Sequence, residues 1–281
     1  MTHPTTTWSL SGFGDEIDAD PDVQLDVLAE IGASQIEVRS AWGVNVADFD
    51  DARTAQLRAV LDRRGFTASA VASPIGKVDV ALPVEHEVER LRRVIRVADG
   101  LGTPYIRIFS FYRDAARTHA DVRDAVLERM RALAGTAAAA GVVLLHENEK
   151  DIYGDTPEHV LDLVESVGSG ALRLAWDNAN FVQVGSTPFT DGWHLLHEYV
   201  DYLQVKDARA GSGEVVPAGE GDGELLETLT ALRDSGYSGV ASLEPHLASA
   251  HELGGFSGPD AFRTAAAAFR TLTDRIGVTL A

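Results

Sequence analysis

No cysteine occurs in the 281 residues. That absence removes disulfides, a thiolate nucleophile and any Cys-ligated metal. No apolar run approaches the roughly 20 residues that a membrane-spanning helix requires. The first residues, Met1-Thr2-His3-Pro4, lack the basic and apolar parts of a signal peptide. A cytoplasmic protein that does not engage a membrane is the expectation. Positive charge is also scarce, with 24 Lys and Arg against 43 Asp and Glu and a formal net charge of -19. Such a surface repels phosphate backbones, so nucleic acid is not an expected partner. A small anionic substrate drawn to a local basic pocket stays open. Lysine is scarcest of all, confined to Lys77, Lys150 and Lys206.

What is present is enough for a large core, since 45% of residues are hydrophobic. The segment Val142 to Lys150 organises the reading. It opens as an unbroken apolar run and ends in Glu147-Asn148-Glu149-Lys150. An apolar run without alternation predicts a strand buried on both faces. Similar strands are predicted near 8–13, 35–39, 67–72, 105–109, 172–176, 202–205 and 240–243. Amphipathic stretches follow them, near 21–31, 51–64, 84–101, 120–140, 157–167, 193–199, 224–235 and 259–276. Eight strand–helix units predict an α/β fold, a (β/α)8 TIM barrel, with residues 1–281 forming a single domain. An open doubly wound sheet would want a phosphate-binding glycine fingerprint after its first strand, and Gly12-Phe13-Gly14-Asp15-Glu16 does not supply one.

In such barrels the site lies at the carboxyl ends of the strands. Those ends carry Glu147, Asp177 and Glu244, with Gln204, Lys206 and Asp207 after the seventh strand. Strand alternation places Leu145 and Val143 on the same face as Glu147, and His146 on the helix-facing side. Three carboxylates on one axis repel unless a cation joins them, and an all-oxygen set suits Mg²⁺ or Mn²⁺, with Co²⁺ also accommodated. Polar decoration of the barrel rim is the alternative. The three lysines follow strands three, five and seven, where a flexible point charge suits a substrate oxygen, carboxylate or phosphate. Arg39, Arg107 and Arg113 lie at strand ends two and four and suit the same role. Pairing of Arg39 with Glu37 or Glu16 is its structural alternative. Trp176 is expected to be core.

Taken in order, Ser73-Pro74-Ile75-Gly76-Lys77, Glu147-Asn148-Glu149, Asp177-Asn178-Ala179-Asn180-Phe181, Val205-Lys206-Asp207, Pro217-Ala218-Gly219-Glu220-Gly221 and Leu243-Glu244-Pro245-His246 resemble the xylose isomerase-like barrel superfamily of sugar phosphate isomerases and epimerases. The resemblance covers nearly the whole chain. It implies one divalent cation, Mn or Mg, held by Glu147, Asp177, the residue at 204 and Glu244. The family's His-x-Lys-Asp reads Gln204-Val205-Lys206-Asp207 here, an uncharged and weaker ligand that favours a hard cation. The resemblance further implies an enediolate chemistry. Glu147 and Glu244 would remove and return a proton beside a carbonyl. Arg39, Lys77, Arg107, Asn180, Lys206 and His246 would bind a small carbohydrate. Barrels of this family often pair, so a homodimer is an expectation. Two other readings stay open: a keto-inositol-type dehydratase, and a metal-free sugar-binding barrel, which Gln204 supports. A phosphodiester nuclease of this superfamily would need more histidines and a basic surface. The glycine-rich stretch 208–223 is expected to form a small hairpin, with Glu214-Val215-Val216 as a strand, and to lid the pocket.

Overall fold

Local signals in the chain set each helix start. Asp20 accepts from the Asp22 amide, with Pro21 in the first turn. Asp50 does the same for Arg53, Thr118 and Asp121 cap one another reciprocally, and Thr156 precedes Pro157. Each cap satisfies an amide that has no partner inside the helix. Gly65 and Gly141 close their helices in the left-handed conformation, at φ 70° and 71°, which side chains oppose.

The computed structural model describes residues 6–114, 116–247 and 257–281. Eight parallel strands make the barrel wall: β1 (Thr6–Gly12), β2 (Gln35–Val38), β3 (Thr67–Ala72), β4 (Tyr105–Ile108), β5 (Val143–Glu147), β6 (Leu172–Asp177), β7 (Val200–Val205) and β8 (Val240–Leu243). The helices outside are α1 (Pro21–Glu30), α2 (Asp51–Arg64), α3 (Val84–Leu101), α4 (His119–Ala140), α5 (Pro157–Val167), α6 (Asn178–Gln183), α7 (Leu225–Asp234) and α8 (Pro259–Ile276). Strands pair in sequence order from β2 to β8, and β8 pairs with β1. The seam between β1 and β2 is closed by the single parallel bridge Phe13–Glu37.

Local features differ from the sequence reading, among them a small antiparallel pairing of Ser40–Ala41 with Val44–Asn45 in the loop after β2. Residues 178–183, to which the sequence reading assigns no element, form α6, whose cap is Asp177 itself, accepting from the Asn180 amide. The helix expected at 193–199 is a π-helical turn (Pro188–Trp193), one α turn (His194–Leu196) and a 3-10 turn (His197–Tyr199). A short strand, β9 (Val278–Leu280), runs parallel along Thr6–Trp8. It was not read because three residues carry too little periodicity. The expected hairpin is present: Val215–Val216 pairs antiparallel with Asp207–Ala208.

The main core lies between the wall and the helices, where Trp176 is buried against Phe181 and Trp193. A smaller cluster fills the barrel interior, made of Ala70, Leu145, Ala175 and Tyr202, with Tyr105, Val143 and Val240 against it. Val143 and Leu145 thus share the inner face, as alternation requires. His146 is fully buried and bonds Ser110 Oγ through Nε2 at 2.9 Å. Burial holds it neutral, its pKa near 3. Among the described residues no helix is long and apolar enough to cross a membrane.

Candidate active site

The interior changes character toward the strand carboxyl ends. Above the apolar cluster lies a buried polar layer. The Tyr202 hydroxyl bonds Glu37 Oε2 at 2.9 Å and Ser69 Oγ at 2.9 Å, and Ser69 bonds Ser11 at 2.7 Å. Gln204 belongs to this layer, its Nε2 donating to Glu37 Oε1 at a long 3.4 Å. Burial pushes Glu37 up to about 7 against the pull of Arg107, because an ionised carboxylate is costly without water.

Strand register then brings the acids together. Asp177 stands opposite Gln204, and Gln204 opposite Ser242. Glu147, Asp177 and Glu244 each present a carboxylate oxygen, and these atoms lie within 4.8 Å of one another. Lys206 reaches back from the end of β7, its Nζ 2.8 Å from Asp177 Oδ2 and 2.9 Å from Glu244 Oε2. Asn180 on α6 donates Nδ2 to Glu147 Oε1 at 3.0 Å and to the Asn148 carbonyl at 2.8 Å. Arg107 Nε lies 3.2 Å from Glu147 Oε2.

Arg39 is the hub of the other side. It contacts Asp15 at 2.8 Å, Glu16 at 3.1 Å and Glu244 Oε1 at 2.9 Å. His246 Nε2 stands 3.0 Å from Glu16 and 3.3 Å from Glu244. Lys77 pairs with Glu149 at 3.0 Å. These contacts divide the acids electrostatically. Burial opposes ionisation of Glu244, but Lys206, His246 and Arg39 outweigh it and hold its carboxyl well below the usual range. Burial raises Glu147, and Arg107 offsets only part of it. Asp177 is raised to about 7 by burial, despite Lys206, with Glu147 and Glu244 adding to the rise. Burial would lower His246, yet Glu244 lifts it to about 9.

A cavity of about 190 Å³ opens over this assembly. Glu147, Glu149 and Glu244 line it together with Arg39, Lys77, Arg107 and His246. Each basic group of this lining is paired with an acid: Arg39 with Asp15, Glu16 and Glu244, Lys77 with Glu149, Arg107 with Glu147, and His246 with Glu16 and Glu244. The other predicted site residues, Asp177, Asn180, Gln204 and Lys206, are buried beneath it. Asn180 and Lys206 therefore hold the acids from below. Lys150 is exposed, away from the cavity, beside Gly211 to Gly213. The 208–223 hairpin lines none of the cavity. Its anchor is Asp207, whose carboxylate accepts from the amides of Ala208, Gly219, Gly221 and Gly223 at 2.8–3.1 Å. The backbone is strained around the rim at Trp42 and Phe111, with φ of 53° and 72°, a conformation that aromatic side chains adopt only when the surroundings enforce it.

Sequence reasoning did not select Asp15, Glu16, Glu37, Asn148 or Glu149 as site residues. For Glu149 the signal was present, two residues beyond Glu147. Glu16 was weighed only as a partner for Arg39, which it is; Glu37 is not among the contacts of Arg39 given above.

The donor set fits a hard divalent cation. Glu147 Oε2, Asp177 Oδ2 and Gln204 Oε1 are all buried without a well-aligned hydrogen bond. Asp177 Oδ2 and Glu147 Oε2 meet Lys206 and Arg107 as ion pairs, which leaves Gln204 Oε1 as the buried oxygen that needs an account. The chemistry of all three oxygens is that of Mg²⁺ or Mn²⁺ ligands. Lys206 contacts two of the same carboxylates, so its ammonium and a bound ion would share them.

Fold and site together define an α/β barrel with an acidic cluster under a cavity lined by paired charges at the strand carboxyl ends. The chain belongs to the xylose isomerase-like TIM barrel family, whose model matches residues 25–272. It is 32% identical over 229 residues to a 2-epi-5-epi-valiolone 7-phosphate 2-epimerase of Actinoplanes sp., covering 74% of this chain and 80% of that one. The fold is shared with the IOLI protein solved with a zinc atom, at TM-score 0.79, 15% identity and coverage of 95% and 99%. It is shared also with the probable 3-DHS dehydratase AsbF of Bacillus anthracis, at TM-score 0.73, 19% identity and coverage of 96% and 99%.

Proposed function

We propose that this chain is a divalent-metal-dependent epimerase or isomerase of a sugar, or of a sugar-like cyclitol, carrying a phosphate. The observation that carries the proposal is that Glu147 and Glu244, from β5 and β8, line one cavity and share a cluster with Asp177. Glu147, Asp177, Gln204 and Glu244 would hold the ion. When bound, it would supply positive charge to stabilise the negative charge that develops on a substrate oxygen.

The chain's own groups do the rest. One glutamate removes the proton from the carbon beside the carbonyl, and the other returns a proton to that carbon or its neighbour. Asn180 binds Glu147 Oε1 and Arg107 lies 3.2 Å from Oε2, so the two side chains fix the orientation of this carboxyl at the cavity. Arg39 and Lys206 fix the two oxygens of Glu244. Lys77, Arg107 and His246 face the cavity and would bind hydroxyls or phosphate. The 32% identical relative acts on a cyclitol 7-phosphate by its name, which supports a phosphorylated substrate here.

A second reading is favoured by Lys206. Its ammonium already bridges Asp177 and Glu244, and Gln204 stands where the family pattern has histidine. In that reading Lys206 provides the positive charge and the barrel works, or binds sugar, without an ion.

The test is incubation with 2-epi-5-epi-valiolone 7-phosphate and a panel of keto- and aldo-sugar phosphates in deuterated water, with chelator or Mn²⁺. Deuterium entering at carbon, needing Mn²⁺ and falling by about 10²–10⁴ in Glu147→Gln and Glu244→Gln, is the expected result. Exchange that is undiminished in chelator moves the conclusion to the second reading. No exchange with any substrate refutes both enzymatic forms.

A further inference from the structure

The helices carry a second cluster of metal-ligating side chains, apart from the strand-end acids. His119 is the first residue of α4, Asp155 immediately precedes the α5 cap Thr156, and His159 lies in the first turn of α5. His119 Nε2 stands 2.9 Å from Asp155 Oδ2, and His159 Nδ1 stands 2.7 Å from Asp155 Oδ1. The two imidazoles stack, with centroids 3.8 Å apart and planes inclined by 15°. Stacking points one nitrogen of each ring at the same carboxylate.

We propose that His119, Asp155 and His159 form a binding site for a transition-metal ion of the zinc type. Two imidazole nitrogens and a carboxylate oxygen are a common protein ligand set for Zn²⁺, with a fourth position left to water. Imidazole selects Zn²⁺, Ni²⁺ or Cu²⁺ over Mg²⁺, Ca²⁺ and Mn²⁺, so this site and the strand-end cluster select different ions. The three ligand atoms lie within 4.8 Å of one another. Zn–N and Zn–O bonds near 2.0–2.2 Å set tetrahedral ligand atoms about 3.3–3.6 Å apart, so the stacked rings would splay from their 15° inclination until both lone pairs meet at the ion. Both imidazoles are partly exposed, at 23% and 31% of their side-chain surface, so an ion can enter. Tyr153 packs beside both rings, while its hydroxyl is committed to Asp162 at 2.6 Å. To take the ion at the nitrogen that faces Asp155, each ring must carry its proton on the other nitrogen.

The ion would tie the first turn of α4 to the first turn of α5. The loops leading into these helices already touch, through a Tyr112–Ile152 bridge and the Tyr153 amide donating to Phe111 O at 3.2 Å. Zinc there would fasten together the two loops that follow β4 and β5. It would also be counted in any metal analysis aimed at the acidic cluster.

The experiment is zinc binding by the full chain after metal removal. Stoichiometry after dialysis is compared among wild type, the Glu147→Gln/Glu244→Gln double variant, His159→Gln and Asp155→Asn, with circular dichroism as the folding control. The expected result is one zinc equivalent that persists in the double variant, and whose affinity falls at least tenfold in His159→Gln and Asp155→Asn. Equal zinc binding in wild type and these two variants overturns the site and leaves the trio as a hydrogen-bonded bracket. If the variants misfold, proton NMR of the wild-type imidazoles decides. Zinc-dependent shifts of the His119 and His159 ring signals support the site, and unmoved signals overturn it.

Discussion

Replacing Lys206 by methionine tests the electrostatic centre of the site directly. The ammonium is buried and lies 2.8 Å and 2.9 Å from Asp177 and Glu244. At an effective dielectric of about 20, each contact is worth about 6 kcal/mol of Coulomb energy, most of it offset by the desolvation of all three ions. The net loss on removing one partner of a buried pair is about 3–5 kcal/mol. That is a large share of a total stability of about 5–15 kcal/mol. In chelator, Lys206→Met should therefore unfold at markedly lower urea. The same change frees the two carboxylates that an ion would use. Mn²⁺ should then bind the variant at least about tenfold more tightly than wild type, or about 1.4 kcal/mol. The assay is urea unfolding of both proteins with chelator and with millimolar Mn²⁺. A larger Mn²⁺-dependent gain in the variant is expected. An equal or smaller gain would show that the ammonium and the ion do not compete for these oxygens, and the reasoning fails.

Gly76→Ala should cost about 3 kcal/mol or more, because φ is +84° and an added Cβ would lie 2.1 Å from the Phe109 carbonyl oxygen. A urea midpoint within experimental error of wild type would contradict the close approach of these two loops. Asp207→Asn replaces an acceptor of four backbone amides with a group that is half donor. A loss of about 2–4 kcal/mol and faster proteolysis within 208–223 are expected, and intact protease resistance would count against the anchor. Asp162 is held down to about 2, by Arg123 first, with Tyr153 and Ser166 assisting. A depressed carboxyl stabilises the fold above its unfolded value near 4 and loses that contribution as pH falls toward 2. Asp162→Asn should thus remove about 1 kcal/mol at neutral pH, discounted because Arg123 is 41% exposed. It should also flatten the stability curve between pH 4 and 2; an unchanged acid limb would refute the assignment.

The barrel was legible because its strands are continuous apolar runs and its helices carry caps and terminal glycines. The strand limits 67–72 and 240–243 and the helix limits 84–101 and 259–276 coincide with those observed. The candidate acids were legible for a related reason: a charge that ends a buried strand has few places to go. What lay beyond reach was depth. Glu147 and Asp177 are equivalent in sequence, each closing its strand, yet one faces the cavity and the other lies under it. Lys206 and Lys77 each follow a strand, yet one turns down between two carboxylates and the other stays at the rim. Pairing across the barrel, as in Arg39 with Glu244 or Tyr202 with Glu37, spans more than 160 residues, and no local pattern encodes it. Helix α6 was missed because Asp177 is both a strand end and a cap.

The join between β1 and β2 gives the wall an uneven stiffness. Elsewhere neighbouring strands are laced by registers of two to four residues, but here one bridge, Phe13 to Glu37, spans the gap. Immediately above it sit Asp15, Glu16 and Arg39, so the ionic contacts at the rim act as the clasp of an otherwise weakly sewn cylinder. Neutralising Arg39 would loosen more than one interaction with Glu244. It would let the cylinder gape along its one weak line, and amide hydrogens of residues 12–16 and 36–39 would exchange first.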